Sequence, residues 1–247
     1  MSKPTIVLVH GAWADGSSWN AVSKELQSQG FTVLTPPNLL HGVASDAAYL
    51  TAFLKERTSG PVVLVGHSYG GFVITNGGDV DNVKALVYID GFAPDEGETV
   101  FGILGPSGSA LAVPDPTTVL DLIPYPGAPE GDVEAFLKPE TVHNFFAQDL
   151  PEDDRLLIIA SQRPITLGAN TTPSGAPAWK GRPVWAVIGT QDYVIPAEAL
   201  RSMAERAGAT ITFAEGASHV SMVSQPDVAI AAILAAVDSV AAVGASA

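Results

Sequence analysis

Gly66-His67-Ser68-Tyr69-Gly70-Gly71 runs straight on from the apolar segment Pro61-Val62-Val63-Leu64-Val65, and Phe72-Val73-Ile74-Thr75 continues it in a helix-compatible pattern. Together these residues describe a strand that enters a sharp turn with a serine at its apex and leaves as a helix. That is the nucleophile-elbow arrangement, G-x-S-x-G. A serine lifted clear of so tight a turn adopts strained backbone, and small residues two positions to either side let neighbouring backbone pass without a Cβ clash. The pattern by itself arises by chance in about one chain in ten of this length. The strand before it and the helix after it are what give it weight.

The rest of the chain supplies a matching scaffold. Short β-branched runs recur at Thr5–Val9, Phe31–Thr35, Pro61–Val65, Ala85–Ile89, Pro183–Ile188 and Thr210–Ala214. Several are almost continuously apolar, as expected of strands covered on both faces of a parallel sheet. Helical patterns lie between them: Ser18–Gln29, with Ser17 or Ser18 as N-cap and Gly30 as the stop, then Asp46–Arg57, Ala197–Ala207 and Asp227–Val240. Pro196 and Pro226 suit helix starts. This alternation predicts an α/β fold with an open, mostly parallel sheet flanked by helices. With 247 residues, 47% of them hydrophobic, the chain suits one domain with a large core.

One region breaks the rhythm. No parallel strand stands out between Phe92 and Ala178, and twelve of the 19 prolines fall there. Short helices are expected around Pro139–Gln148 and Glu152–Ser161. The expected organisation is a single domain over residues 1–247, with a core of about 1–91 and 179–247 and a helical cap of about 92–178. An insertion at this place folds over the strand ends, where open α/β sheets bind ligands.

A serine hydroxyl needs a base to become a nucleophile, and the base needs an orienting acid. In elbow-type sheets these follow in chain order as Ser, acid, His. Downstream of Ser68 the histidines are His143, inside the expected cap, and His219, in the small-residue loop Gly216-Ala217-Ser218-His219-Val220 after the run Thr210–Ala214. His219 is the base this placement selects. For the acid, Asp192 closes Gly189-Thr190-Gln191-Asp192 after a strand, and Asp90 closes Ala85–Ile89 in the same way; Asp192 is the first choice and Asp90 the alternative. The oxyanion of a tetrahedral intermediate needs N–H donors. The amide after the nucleophile, Tyr69, supplies one, and Ala12 in the first-strand loop His10-Gly11-Ala12-Trp13 is the candidate for the other. Gly11 would leave room for substrate beside the backbone. His10 reads as structural, His67 as a packing residue beside the elbow.

Charge narrows the partners. Twelve Lys plus Arg against 26 Asp plus Glu give a net charge of −14, which repels phosphate backbones and anionic lipid, so neither nucleic acid nor membrane is expected as a partner. The expected partner is a small molecule, and a homodimer stays open. Without cysteine there is no disulfide or thiolate metal site. No histidine or carboxylate spacing resembles a metal site, and no phosphate-loop or dinucleotide glycine pattern follows the first strand, so no metal and no cofactor are expected. Too few apolar residues precede His10 for a signal peptide, which points to a cytoplasmic location. In that setting the sequon Asn170-Thr171-Thr172 is accidental.

The residues HGAW, GHSYGG, GTQD and SHVSM resemble those of the α/β-hydrolase fold, and more closely the plant methylesterase and hydroxynitrile lyase group with its bacterial esterase relatives. The resemblance runs from Ile6 to the last helix and includes the cap segment Phe145–Pro151. It implies Ser68 as nucleophile, His219 as base, Asp192 as its partner, Ala12 and Tyr69 as oxyanion donors, and Trp13 with cap aromatics as pocket lining. The lyases of that group carry threonine after the first-strand histidine and lysine after the catalytic histidine. Here those positions are Gly11 and Val220, which sides with the esterases. The expected activity is therefore hydrolysis of a small carboxylic ester or lactone through an acyl-enzyme, falling on the acid side as His219 protonates. A cyanohydrin-type C–C lyase and a hydrolase-fold receptor with little turnover are the alternatives.

Overall fold

The computed structural model describes residues 3–245. In chain order the strands are β1 (Thr5–Val9), β2 (Val33–Leu34), β3 (Val62–His67), β4 (Val83–Ile89), β5 (Leu120–Ile123), β6 (Glu134–Leu137), β7 (Ile165–Thr166), β8 (Val184–Gly189) and β9 (Thr210–Ala214). Six of them form one parallel sheet in the order β2-β1-β3-β4-β8-β9. The apolar runs explain its centre, since β3 is buried at every residue and β1 and β4 nearly so. The helix Pro226–Ala245 packs over β3, β4 and β8 and meets Asn20–Ser28, while Tyr69–Gly77 packs on β1 and β3 and meets Val43–Arg57. Among the described residues no helix is long and apolar enough to cross a membrane.

The strand order reverses at β1, which has β2 on one side and β3 on the other. Loops leaving neighbouring strands at such a point diverge and open a crevice at their C-terminal ends. The registers Val9↔Gly66 and His67↔Ile89 bring the loops after β1, β3 and β4 to that one edge.

The expected strands and helices are present, with adjusted ends. β2 shrinks from five expected residues to two, because Phe31 N–H closes the preceding helix on Leu26 O (3.1 Å) and Pro36-Pro37 offer no donors. The first helix is preceded by a 3-10 turn over Gly16–Trp19, and the side-chain cap belongs to that turn: the Asp15 carboxylate accepts from Ser17 N–H at 2.8 Å, while neither Ser17 nor Ser18 caps the helix, whose N-cap is Trp19.

The insertion between β4 and β8 is not wholly helical. Glu152–Ser161 is a helix as expected, but Pro139–Thr141 passes into a π-helical turn over Val142–Phe146. β5, β6 and β7 add a small antiparallel sheet. Strands of four, four and two residues carry too little alternation to be read locally, and their pairing spans a long sequence separation. The insertion is bonded to loops at the C-terminal edge of the main sheet. Trp13 N–H donates to Arg163 O (2.8 Å), Trp13 Nε1–H to Ala135 O (2.8 Å) and Thr166 N–H to Leu40 O (3.0 Å).

Candidate active site

Ser68 stands between β3 and the helix Tyr69–Gly77 with φ 51° and ψ −124°. The flanking glycines are required by contact as well as conformation: a Cβ on Gly66 would lie 2.7 Å from Gly70 O, and one on Gly70 would lie 2.4 Å from Val9 O. Among the described residues four that are not glycine have positive φ, and three of them, Trp13, Ser68 and Asp90, sit in the loops that follow β1, β3 and β4. Backbone strain of this kind persists only where surrounding structure over-determines it. Here it gathers around one crevice.

The side chains selected from sequence meet there. Ser68 Oγ–H donates to His219 Nε2 at 2.8 Å, and His219 Nδ1–H donates to Asp192 Oδ2 at 2.7 Å. All three residues are buried. The carboxylate can only accept, which places the imidazole proton on Nδ1 and leaves Nε2 open to the serine proton. Asp192 is itself held, because its Oδ1 accepts from Val194 N–H and Ile195 N–H, each at 2.8 Å.

Ala12 and Tyr69 line the same cavity as Ser68, and neither N–H donates to an acceptor among the described residues. The next amide in that loop, Trp13 N–H, is already engaged by Arg163 O. Gly11 serves a different purpose from the one expected. It does not line the cavity; a Cβ there would lie 2.6 Å from Ser68 Cβ, so glycine lets the β1 loop pack directly against the elbow. Trp13 does line the cavity, with Phe146 edge-on to it at 6.0 Å between ring centres.

Two further histidines are structural. His10 Nδ1–H donates to Gly11 O (2.9 Å) and its Nε2 accepts from Asn38 N–H (3.0 Å), and burial lowers its pKa, so the neutral ring ties two loops together. His67 Nε2–H donates to His219 O at 2.8 Å. Burial, followed by the charge of His219, holds its pKa well below the usual histidine range. It is thus more than packing: it pins the backbone of the residue that faces Ser68.

Other supports are given no role by the sequence reading. Gln148 Nε2–H donates to Gln191 O (2.7 Å), beside Asp192, and the Asp149 carboxylate accepts from Ser218 N–H (3.0 Å), beside His219. The Tyr69 hydroxyl donates to buried Asp46 at 2.9 Å, tying the elbow helix to Val43–Arg57; burial raises both pKa values, keeping the phenol a donor.

Asp90, the alternative acid, makes no hydrogen bond to the His219 ring among the described residues. Its Oδ1 accepts from Gly189 N–H (2.7 Å) and its Oδ2 from Ser221 N–H (3.0 Å), so it braces the loops that carry Asp192 and His219. Complete burial, then the charge of Asp192, raises its pKa to about 7. Its carboxyl therefore holds a proton more tightly in the folded chain than in the unfolded one. Between about pH 4, the ordinary Asp range, and about pH 7 the folded chain binds more protons, and this contribution to stability is lost as pH rises through the window, at up to about 1.4 kcal/mol per unit. Urea unfolding of wild type and Asp90→Asn from about pH 4.5 to about pH 8 is expected to show the wild-type-minus-variant difference falling with pH. A difference that stays flat would remove the raised carboxyl.

Above Ser68 lies a cavity of about 590 Å³, walled by Trp13 and Phe92 on the core side and by insertion residues such as Val100, Leu104, Leu120 and Ile165. The chain is similar to several known proteins. The chain is 33% identical over 111 residues to the carbendazim hydrolyzing esterase of Nocardioides sp. (strain SG-4G), a match covering 40% of this chain and 46% of that protein. The chain thus matches less than half the length of that esterase. It is 26% identical over 246 residues to the pyrethroid hydrolase of Sphingobium wenxiniae, covering 92% of this chain and 85% of that one. Among solved structures, polyneuridine aldehyde esterase superposes with a TM-score of 0.79 at 19% identity, covering 94% of this chain and 98% of its own, and so shares the fold. Residues 6–233 match the Alpha/beta hydrolase family, a span that begins in β1 and ends in the last helix. By that match, and with the elbow, crevice and insertion of such a fold in place, the chain belongs to the alpha/beta hydrolase family.

Proposed function

We propose that this protein is a serine hydrolase of small carboxylic esters, lactones included, working through an acyl-enzyme. The observation that carries the reading is the unbroken relay from Ser68 Oγ through His219 to Asp192, at 2.8 and 2.7 Å. In this reading His219 Nε2 takes the Ser68 proton as Oγ attacks the ester carbonyl. The Ala12 and Tyr69 N–H groups receive the oxyanion, a role supported by their lack of other acceptors among the described residues. The imidazolium then protonates the leaving alkoxide, and the alcohol departs. Water, deprotonated by the same Nε2, attacks the acyl-enzyme, and the acid leaves as Ser68 regains its proton.

The names of its relatives support ester cleavage, and the uncharged cavity lining suits a neutral substrate. A lyase releasing cyanide would need positive charge beside His219, where this chain has buried Val220.

Turnover of p-nitrophenyl esters from acetate to octanoate tests the reading, with mandelonitrile as the lyase control. Each methylene that the cavity buries adds up to about 0.8 kcal/mol of binding. The expected result is kcat/KM rising by about two- to fourfold per added methylene until the cavity is filled, with no cyanide from mandelonitrile. A profile that peaks at acetate and falls with every added carbon would take the cavity out of acyl binding. Inertness towards the whole series would remove the esterase reading.

A further inference from the structure

The cavity over Ser68 offers a ligand no charge: among the described residues its lining contains no Asp, Glu, Lys, Arg or His. Four lining residues carry polar side-chain atoms. Three of these are engaged within the protein, since Ser68 Oγ–H donates to His219, Tyr69 O–H to Asp46 and Trp13 Nε1–H to Ala135 O. The fourth is Asn170, in the short helix Leu167–Thr171 and only 8% exposed. Its Nδ2 donates to Thr166 O at 3.0 Å, and that acceptor fixes the orientation of the amide, because Oδ1 cannot face another carbonyl oxygen. Oδ1 is left without a donor among the described residues, and one N–H of Nδ2 stays uncommitted beside it.

A carbonyl oxygen in an apolar wall loses free energy when an apolar ligand displaces water from it. A ligand that brings an N–H or O–H to the same point avoids that loss. Sites with a buried acceptor of this kind discriminate against analogues lacking the donor more sharply than apolar walls discriminate by size. Burial of Asn170 also disposes of the sequon, since a glycan acceptor has to stand in solvent.

We propose that Asn170 is a specificity-determining residue, and that the esters this site takes carry one hydroxyl or N–H on an otherwise apolar, uncharged body, donated to Asn170 Oδ1. That the ligand is an ester rests on the hydrolase reading; the contact with Asn170 is made in binding and is measurable without turnover.

The probes are p-nitrophenyl esters of phenylacetic, 3-phenylpropanoic and 4-phenylbutanoic acids, each as a ring 4-hydroxy and 4-methyl pair. The acetates of matching 4-hydroxy- and 4-methylphenylalkanols cover the alcohol arm. Binding of each pair is measured with Ser68→Ala, which cannot consume the ester, and with the same variant carrying Asn170→Leu. At one chain length the hydroxy ester is expected to bind about tenfold more tightly than its methyl partner, and Asn170→Leu is expected to abolish that preference. Methyl partners binding as well or better at every length would overturn the proposal, as would a hydroxyl preference that survives in Asn170→Leu. Should Asn170→Leu not fold, Asn170→Ala in the Ser68→Ala background decides by the same comparison, since Ser68→Ala alone also bares His219 Nε2 as an acceptor. Wild-type turnover of the same esters tests the hydrolase reading separately: a hydroxyl preference without turnover keeps Asn170 and removes hydrolysis.

Discussion

Ser68→Ala is expected to lower kcat for p-nitrophenyl esters by about a million-fold, with the fold retained. The magnitude follows from what the hydroxyl does. In the proposed mechanism it forms the covalent bond, and no other hydroxyl or thiol among the cavity-lining residues is placed to replace it. Residual catalysis of about a thousand-fold over water would come from the oxyanion donors and from binding alone. Stability should change little, because the strain at φ 51° belongs to the backbone and is shared by alanine. The variant loses one hydrogen bond to His219, worth about 1 kcal/mol. The measurement is burst and steady-state release of p-nitrophenol, alongside thermal unfolding of both proteins. Retention of activity within tenfold of wild type, in a preparation free of contaminating esterase, would remove Ser68 from the nucleophile role.

What could be read ahead of the structure follows the range of the interactions involved. The elbow was legible because its chemistry is local: strand, serine, flanking glycines and helix all fall within Pro61–Thr75. The parallel strands were legible because burial on both faces removes polar residues from them. The three-stranded sheet of the insertion was not, since β5 pairs with β6 across a loop and β6 with β7 across a segment that holds the helix Glu152–Ser161, and none exceeds four residues. The supports of the site were hidden for a related reason. Gln148, Asp149 and His67 act through bonds to the backbone of Gln191, Ser218 and His219, and a backbone acceptor or donor leaves no mark on residue type. Gly11 shows how a right residue can be given the wrong reason. Glycine was legible as a point of close approach, but only the packed loop reveals that Ser68, not a ligand, is what approaches.

Sequence left two carboxylates competing for one role, and they separate on geometry. Asp192→Asn is expected to lower kcat by about ten-thousand-fold. The amide would keep its oxygen on the Val194 and Ile195 N–H groups and turn its NH₂ towards His219. A donor at that point favours the imidazole tautomer with a bare Nδ1 and a proton on Nε2. That nitrogen could then no longer accept the Ser68 proton. Asp90→Asn works on a different contact. Its partners are the Gly189 and Ser221 N–H groups, so the change loosens loops without reversing a tautomer. Asparagine also tolerates the φ of 44° at this position, and it resembles the protonated carboxyl that burial and Asp192 favour. The expected loss in kcat is therefore about tenfold to a hundredfold. Loss of activity through a wrong tautomer differs from loss through a displaced loop, because the first lowers kcat at constant structure and the second moves KM and thermal stability as well. A ten-thousand-fold drop in Asp90→Asn, with Asp192→Asn nearly active, would transfer the acid role to the end of β4. It would also mean that the 2.7 Å contact between His219 and Asp192 is structural.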